Sequence, residues 1–293
     1  LLQKAARVLC SEEYRTVLRQ QLAAGARSFA AARQAAVQAL CPGSDIAALL
    51  DKPNNNLAVE YCKAIIEQNV EMQPIALPRQ GADHGQALTE SAHAAFASAS
   101  ALRALWAEGG AAALAPYVPE KALKLYKQAE YDGKYTDFAV MGHCELALLR
   151  AACAGQAPFA AVRGVSEGLE HRLENAVRET ASLPTLLDAL TTVRYPRARM
   201  RRLAMDAALG YTAQTPALPP YLHLLGARKE ALSLPGETAL PLSHSLARLA
   251  RENESCAQMA AAQSRASDLG ALCRAKPEPM GGIYRQKIIF LTN

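Results

Sequence analysis

Apolar residues recur at helical spacing through most of this chain, and only three short runs carry strand character. That pattern constrains the fold more than any other feature, because amphipathic helices must bury their stripes against one another or against a small sheet. Ser11, followed by Glu12 and Glu13, opens a helix whose stripe is Tyr14, Val17, Leu18 and Leu22, and Gly25 closes it. Ser28 starts a second helix, carried by Ala35, Val37 and Leu40 and broken at Cys41-Pro42-Gly43. Pro53 precedes a third, with Leu57, Tyr61, Ala64 and Ile65 on its stripe. Residues 72–77, between prolines and leading into the polar loop 79–85, form the best early strand candidate.

A helix follows Ser98, and then Gly109-Gly110 and the prolines 116 and 119 punctuate the chain. At 293 residues it is long enough for about two domains. The punctuation divides it into 1–112 and 113–293. Beyond that point 120–129, 136–152, 166–180, 183–190 and 197–209 all have helical periodicity. After Pro219-Pro220 come a strand candidate at 221–225, two more helical stretches and a last strand candidate at 287–291. The expected class is α/β plus α, helical overall, with its second part mostly a helical bundle.

With 51% hydrophobic and 20% charged residues the chain falls in the globular range, and its net charge of +5 suits a polyanionic partner without demanding one. Seven cysteines without a C-x-x-C pair predict buried free thiols in a reducing cytosol. The histidines at 84, 93, 143, 171, 223 and 244 form no H-E-x-x-H or other ligand pair, so no metal is assigned. The longest uncharged run, 207–227, holds Gln214 and the prolines 216, 219 and 220, and does not read as a membrane helix. Neither a G-x-x-x-x-G-K-[ST] loop nor a G-x-G-x-x-G turn occurs.

Four segments are candidates for chemistry. In the first, Ser98 caps a helix whose free first-turn N–H groups, with Ser100 and Arg103, suit a phosphate; an ordinary serine cap explains the same spelling. The second is Pro53-Asn54-Asn55-Asn56, a run of donors and acceptors at a helix mouth that also fits plain capping, with Arg79 past the strand candidate as a related phosphate ligand or a solvated loop residue. The third runs from Arg194 to Arg202 and holds Arg194, Tyr195, Arg197, Arg199, Arg201 and Arg202. Met200, Leu203, Ala204 and Ala207 make the apolar stripe of its helix, leaving the arginines for solvent or a nucleic-acid backbone and Tyr195 for stacking on a base. The fourth, Gly164-Val165-Ser166-Glu167-Gly168, spells a hydrolase elbow, but no parallel sheet is expected around it. Ser166 reads better as a helix N-cap.

Taken in order, 53–61, Arg79, 96–103, 167–173, 192–195 with the arginine helix, and 220–226 resemble the signatures of the tRNA(Met) cytidine acetate ligase family, across almost the whole chain. The resemblance implies the rear part of a Rossmann-like nucleotidyltransferase domain over 1–112 and a mostly helical tRNA-binding domain over 113–293. It implies an enzyme that spends ATP, with Mg2+ accompanying it, to form acetyl-adenylate from acetate and then acetylates N4 of the wobble cytidine of elongator tRNA(Met). Asn54, Asn55, Arg79, Ser98 and Ser100 are the implied ATP ligands, and the arginine segment is the implied tRNA surface. Phe96 and Ser100 stand where the family more usually has isoleucine and threonine. The family's first strand and H-x-G-H turn have no counterpart here, so the catalytic histidines are expected in a segment before Leu1, and these 293 residues are expected not to complete the reaction alone. The alternative is a non-catalytic RNA-binding or scaffold protein of the same fold.

Overall fold

A computed structural model describes residues 1–26, 28–78, 97–230 and 238–291. The chain divides into two compact units, Leu1–Gln80 and Gly81–Asn293.

The first unit opens with five helices rather than three: α1 (Leu2–Cys10), α2 (Glu12–Ala23), α3 (Phe29–Leu40), α4 (Ile46–Leu49) and α5 (Pro53–Glu67). Ser11 and Ser28 cap α2 and α3 as their spelling predicts, accepting the N–H of Tyr14 and Ala31. The extra helix α1 packs along α5 through Ala5, Ala6 and Leu9, small residues that give a weak signal between Gln3, Lys4 and Arg7. Ile46 brings α4 into the same core beside Val37 and Val59. Arg33 ties α3 to α5 by donating to Asn56 at 3.2 Å and Glu60 at 3.0 Å. Residues 72–77 do not form the expected strand. A strand needs a hydrogen-bonded neighbour, and no described residue pairs with this run, whose Ile75 and Leu77 are 82% and 88% exposed.

The second unit begins with α6 (Ala99–Gly109), a 3-10 turn over Ala111–Leu114 and α7 (Glu120–Asp132). Trp106 of α6 meets the ring of Tyr126 edge-on, with centroids 5.4 Å apart. Between α6 and the turn, Gly110 sits at φ +67, and the Ala111 N–H donates to Glu130. A side chain at Gly110 would strain the backbone and strike the Glu130 carboxylate.

The main core lies among α8 (Phe138–Ala152), α9 (Leu169–Glu179), α10 (Leu183–Leu190) and α11 (Arg197–Ala208), where Leu149, Phe159, Leu173, Leu186 and Met200 are buried. Asp137 caps α8 through two backbone N–H groups. The stripe predicted for α11 is the one that packs, since Met200, Leu203, Ala204 and Ala207 are all in the core. Ser166 does not cap α9. The left-handed Glu167 and Gly168 delay the helix by a turn, Gly168 takes the cap position, and Ser166 offers only its carbonyl to Leu169. No strand precedes Ser166 among the described residues, so the hydrolase elbow is not built.

Both late strand candidates form, in two parallel pairs. The segment 221–225 supplies β1 (Leu222–His223), which pairs with β3 (Leu242–Ser243). Next to it, β2 (Gly226–Arg228) pairs with β4 (Ile289–Leu291). A smaller core of Tyr221, Leu246, Leu249, Cys256 and Ala260 holds α12 (Leu246–Leu249) and α13 (Glu254–Leu272) beneath them. All seven cysteines are free thiols. No described helix is long and apolar enough to cross a membrane.

Candidate functional site

In the first unit the asparagine run forms the first turn of α5. Pro53 stands at its first position, and the preceding Lys52 takes the cap position, its side chain accepting none of the helix's N–H groups. The backbone N–H groups of Asn54 and Asn55 have no partner within the helix, which leaves a pair of donors and the positive end of the helix dipole facing outward. Two of the side chains are already occupied: Asn55 donates to the Leu49 carbonyl at 3.0 Å and Asn56 to that of Leu50 at 2.7 Å, latching α5 onto α4. Asn54 is exposed.

In the second unit Ser98 is buried and caps α6 by accepting the Ala101 N–H at 3.2 Å, and its hydroxyl lies 3.0 Å from that of Ser100. Ser98 is thereby committed to its helix, while the N–H groups of Ala99 and Ser100 remain as first-turn donors. Arg79 and Phe96 lie outside the described residues.

The arginine segment sits at the edge of the main core. Arg194 pairs with Glu167, whose carboxylate also accepts from the Tyr195 hydroxyl at 3.1 Å. The segments 167–173 and 192–195, far apart in sequence, therefore meet through one left-handed glutamate, at φ +57. Arg199 lies 5.1 Å over the Tyr195 ring, so one face of that ring is already covered. Arg197 pairs with Asp188 of α10. Arg201 and Arg202 are exposed and form no salt bridge with a described residue. The segment thus splits into charges held in local pairs and charges that remain open, a division its spelling does not reveal.

A residue that the sequence did not single out lies beneath them. Glu145 of α8 is 1% exposed, its Oε1 has no hydrogen-bond partner among the described residues, and burial pushes its carboxyl up to about 7 against the opposing pull of Arg201. Its position in -Gly-His-Cys-Glu-Leu- reads as one more polar residue on a helix, and only the packing of α11 onto α8 buries it.

A family model described as HIGH nucleotidyl transferase matches residues 1–280. The tRNA(Met) cytidine acetate ligase of Listeria monocytogenes serotype 4b is 30% identical over 183 residues, covering 62% of this chain and 45% of the relative. A relative of the same name from a Thermoanaerobacter species is 28% identical over 232 residues, covering 77% of this chain and 56% of its own length. The chain therefore spans about half the length of the curated relatives it matches. Among solved structures, Thermotoga maritima TmcAL bound with alpha-thio ATP superposes with a TM-score of 0.81 over 99% of this chain and 73% of that one, at 22% identity. That likeness establishes the fold, a nucleotidyltransferase-type arrangement with a helical domain. With a family model matching nearly its full length, the chain belongs to the HIGH nucleotidyl transferase family, and the curated relatives it matches share the name tRNA(Met) cytidine acetate ligase.

Proposed function

We propose that this chain serves in an ATP-dependent ligase that acetylates the wobble cytidine of elongator tRNA(Met) at N4, in the cytoplasm. The observation that carries this reading is α11: its apolar stripe is spent on the core, and Arg201 and Arg202 stand exposed on its other side. Residues 1–112 are assigned to the nucleotidyltransferase domain and 113–293 to tRNA. In the reaction, an acetate oxygen attacks the α-phosphorus of ATP and pyrophosphate leaves. N4 of the cytidine then attacks the acetyl carbonyl and AMP leaves, with loss of a proton from N4. The contribution assigned to this chain is nucleotide binding, with Asn54, Asn55, Arg79, Ser98 and Ser100 as its ATP ligands and Mg2+ accompanying the triphosphate. That a solved relative of the same fold binds an ATP analogue supports nucleotide binding as such.

The tRNA surface is tested by Arg197→Ala, Arg201→Ala and Arg202→Ala together. Removing about three phosphate contacts is expected to flatten the salt dependence of tRNA binding by roughly two to three in log–log slope. Folding is expected to survive, since such exposed changes cost about half a kcal/mol or less. A folded triple variant with unchanged affinity and slope would return the helix to an ordinary solvated face and favour the scaffold alternative.

The nucleotide site is tested at α5. Asn54→Asp places a carboxylate beside the free N–H groups, where it favours the helix dipole by about 0.3–1 kcal/mol but repels a phosphate. Calorimetry is expected to show ATP affinity falling by about tenfold or more, while the thermal midpoint holds or rises. Equal ATP affinity in both forms would remove α5 from the site.

A further inference from the structure

Between α8, α10 and α11 lies a cavity of about 640 Å3, the size range of small-ligand sites. Its walls include Phe138, Met141, Leu183 and Met205, and the polar residues among them are Glu145, three arginines, and His143 and Ser182, which bond within their own helices to Ala139 and Thr185. On the inner side is Glu145, nearly fully buried, with Oε1 lacking a donor. At the rim are Arg201 and Arg202, both exposed, with the Asp188-paired Arg197 alongside. A buried acceptor without a partner is rare in a folded protein and calls for an N–H or O–H from whatever enters. The rim cations favour an anionic ligand and disfavour an amine. Apolar walls suit a flat aromatic body. A nucleotide whose base carries an exocyclic amino group combines all three requirements.

We propose that this cavity receives an unstacked, amino-bearing nucleobase of an RNA strand, the amino group donating to Glu145 Oε1 while the flanking phosphates rest on Arg201 and Arg202. The proposal builds on the assignment of α11 to RNA and adds base recognition to it. Cytosine presents an amino group at C4 and uracil a carbonyl oxygen, so a carboxyl acceptor welcomes the first and repels the second. The discrimination belongs to the ionised carboxylate, which only accepts, whereas a protonated carboxyl also donates to the uracil oxygen, so the test is run at about pH 8 or above.

The test uses the full chain and fluorescence anisotropy with labelled hexamers of cytidine and uridine at one salt concentration. The cytidine hexamer is expected to bind about tenfold more tightly or better. Glu145→Leu is expected to erase that preference, and it should fold, since replacing a buried charged group by an apolar one of similar size is often neutral or stabilising. Glu145→Gln, whose amide both accepts and donates, is expected to narrow the preference, because its N–H can bond the uracil carbonyl. Ala139→Trp, at an exposed position in the cavity wall, is expected to weaken the cytidine hexamer without touching Glu145. Equal affinity for the two hexamers, or a preference that survives Glu145→Leu, overturns the base pocket while leaving the α11 assignment in place. Competition by free CMP as strong as by the hexamer overturns RNA as the source and assigns the cavity to mononucleotides. Failure of both hexamers and of tRNA to bind overturns both assignments.

Discussion

Glu145→Gln is expected to remove a fall in stability with rising pH. The carboxyl has an ordinary value of 4.5 and is raised to about 7 in the folded chain, chiefly because burial penalises its charged form. Between those two values the folded state holds more protons than the unfolded one, so unfolding free energy drops as pH rises. The favourable contribution is fully present below about pH 4.5 and is gone once pH passes about 7. At roughly 1.4 kcal/mol per pH unit over the interval from 4.5 to about 7, the expected difference is about 3 kcal/mol between pH 4 and pH 8. Glutamine has the same shape and no charge to desolvate. Urea denaturation of both proteins at a series of pH values measures it, and the quantity to compare is the pH slope of their difference. His143, Arg197, Arg201 and Arg202 line the same cavity and are present in both proteins. Parallel pH profiles would show that Glu145 is solvated.

Leu173→Ala is expected to cost about 2–5 kcal/mol, the range for deleting a fully buried leucine from a core that cannot collapse. Leu173 is 0% exposed on α9 and belongs to the cluster that unites α8, α9, α10 and α11. The denaturation midpoint should fall with an unchanged m-value, because the same surface is still exposed on unfolding. A loss below about 1 kcal/mol would mean that α9 is packed more loosely than its burial indicates.

Much of the helical architecture was legible because its signals are local. Ser11, Ser28 and Ser98 sit where an N-cap hydroxyl reaches a backbone N–H three residues on, and each one does so. The stripe of α11 needed only the spacing of Met200, Leu203, Ala204 and Ala207. The misreadings share a cause too. Helix α1 was passed over because its core contacts are mostly alanines, which carry helix propensity but little periodic signal. Residues 72–77 spell a strand, yet strand formation depends on a neighbour that no local pattern supplies. Ser166 was read as a cap because the left-handed turn at Glu167 and Gly168 cannot be seen from a hydroxyl's spacing.

The candidate sites divide the same way. By itself the sequence determined that arginines 194–202 would be denied the core, since a helix with one apolar stripe must turn its charges outward. Tertiary structure decided which of those charges stay open. Glu167 and Asp188 approach from other segments and take Arg194 and Arg197, and Arg201 and Arg202 are left at a cavity rim. It also decided what Asn55 and Asn56 do, because the carbonyls they bond belong to α4, six residues away and itself placed by packing. Glu145 is the clearest case: its type and position on α8 were plain, but its burial and its unmatched oxygen arise only when α11 closes over it. Local spacing dictates which face of a helix is apolar; desolvation and partner choice depend on segments distant in sequence, and only the assembled fold brings those within reach.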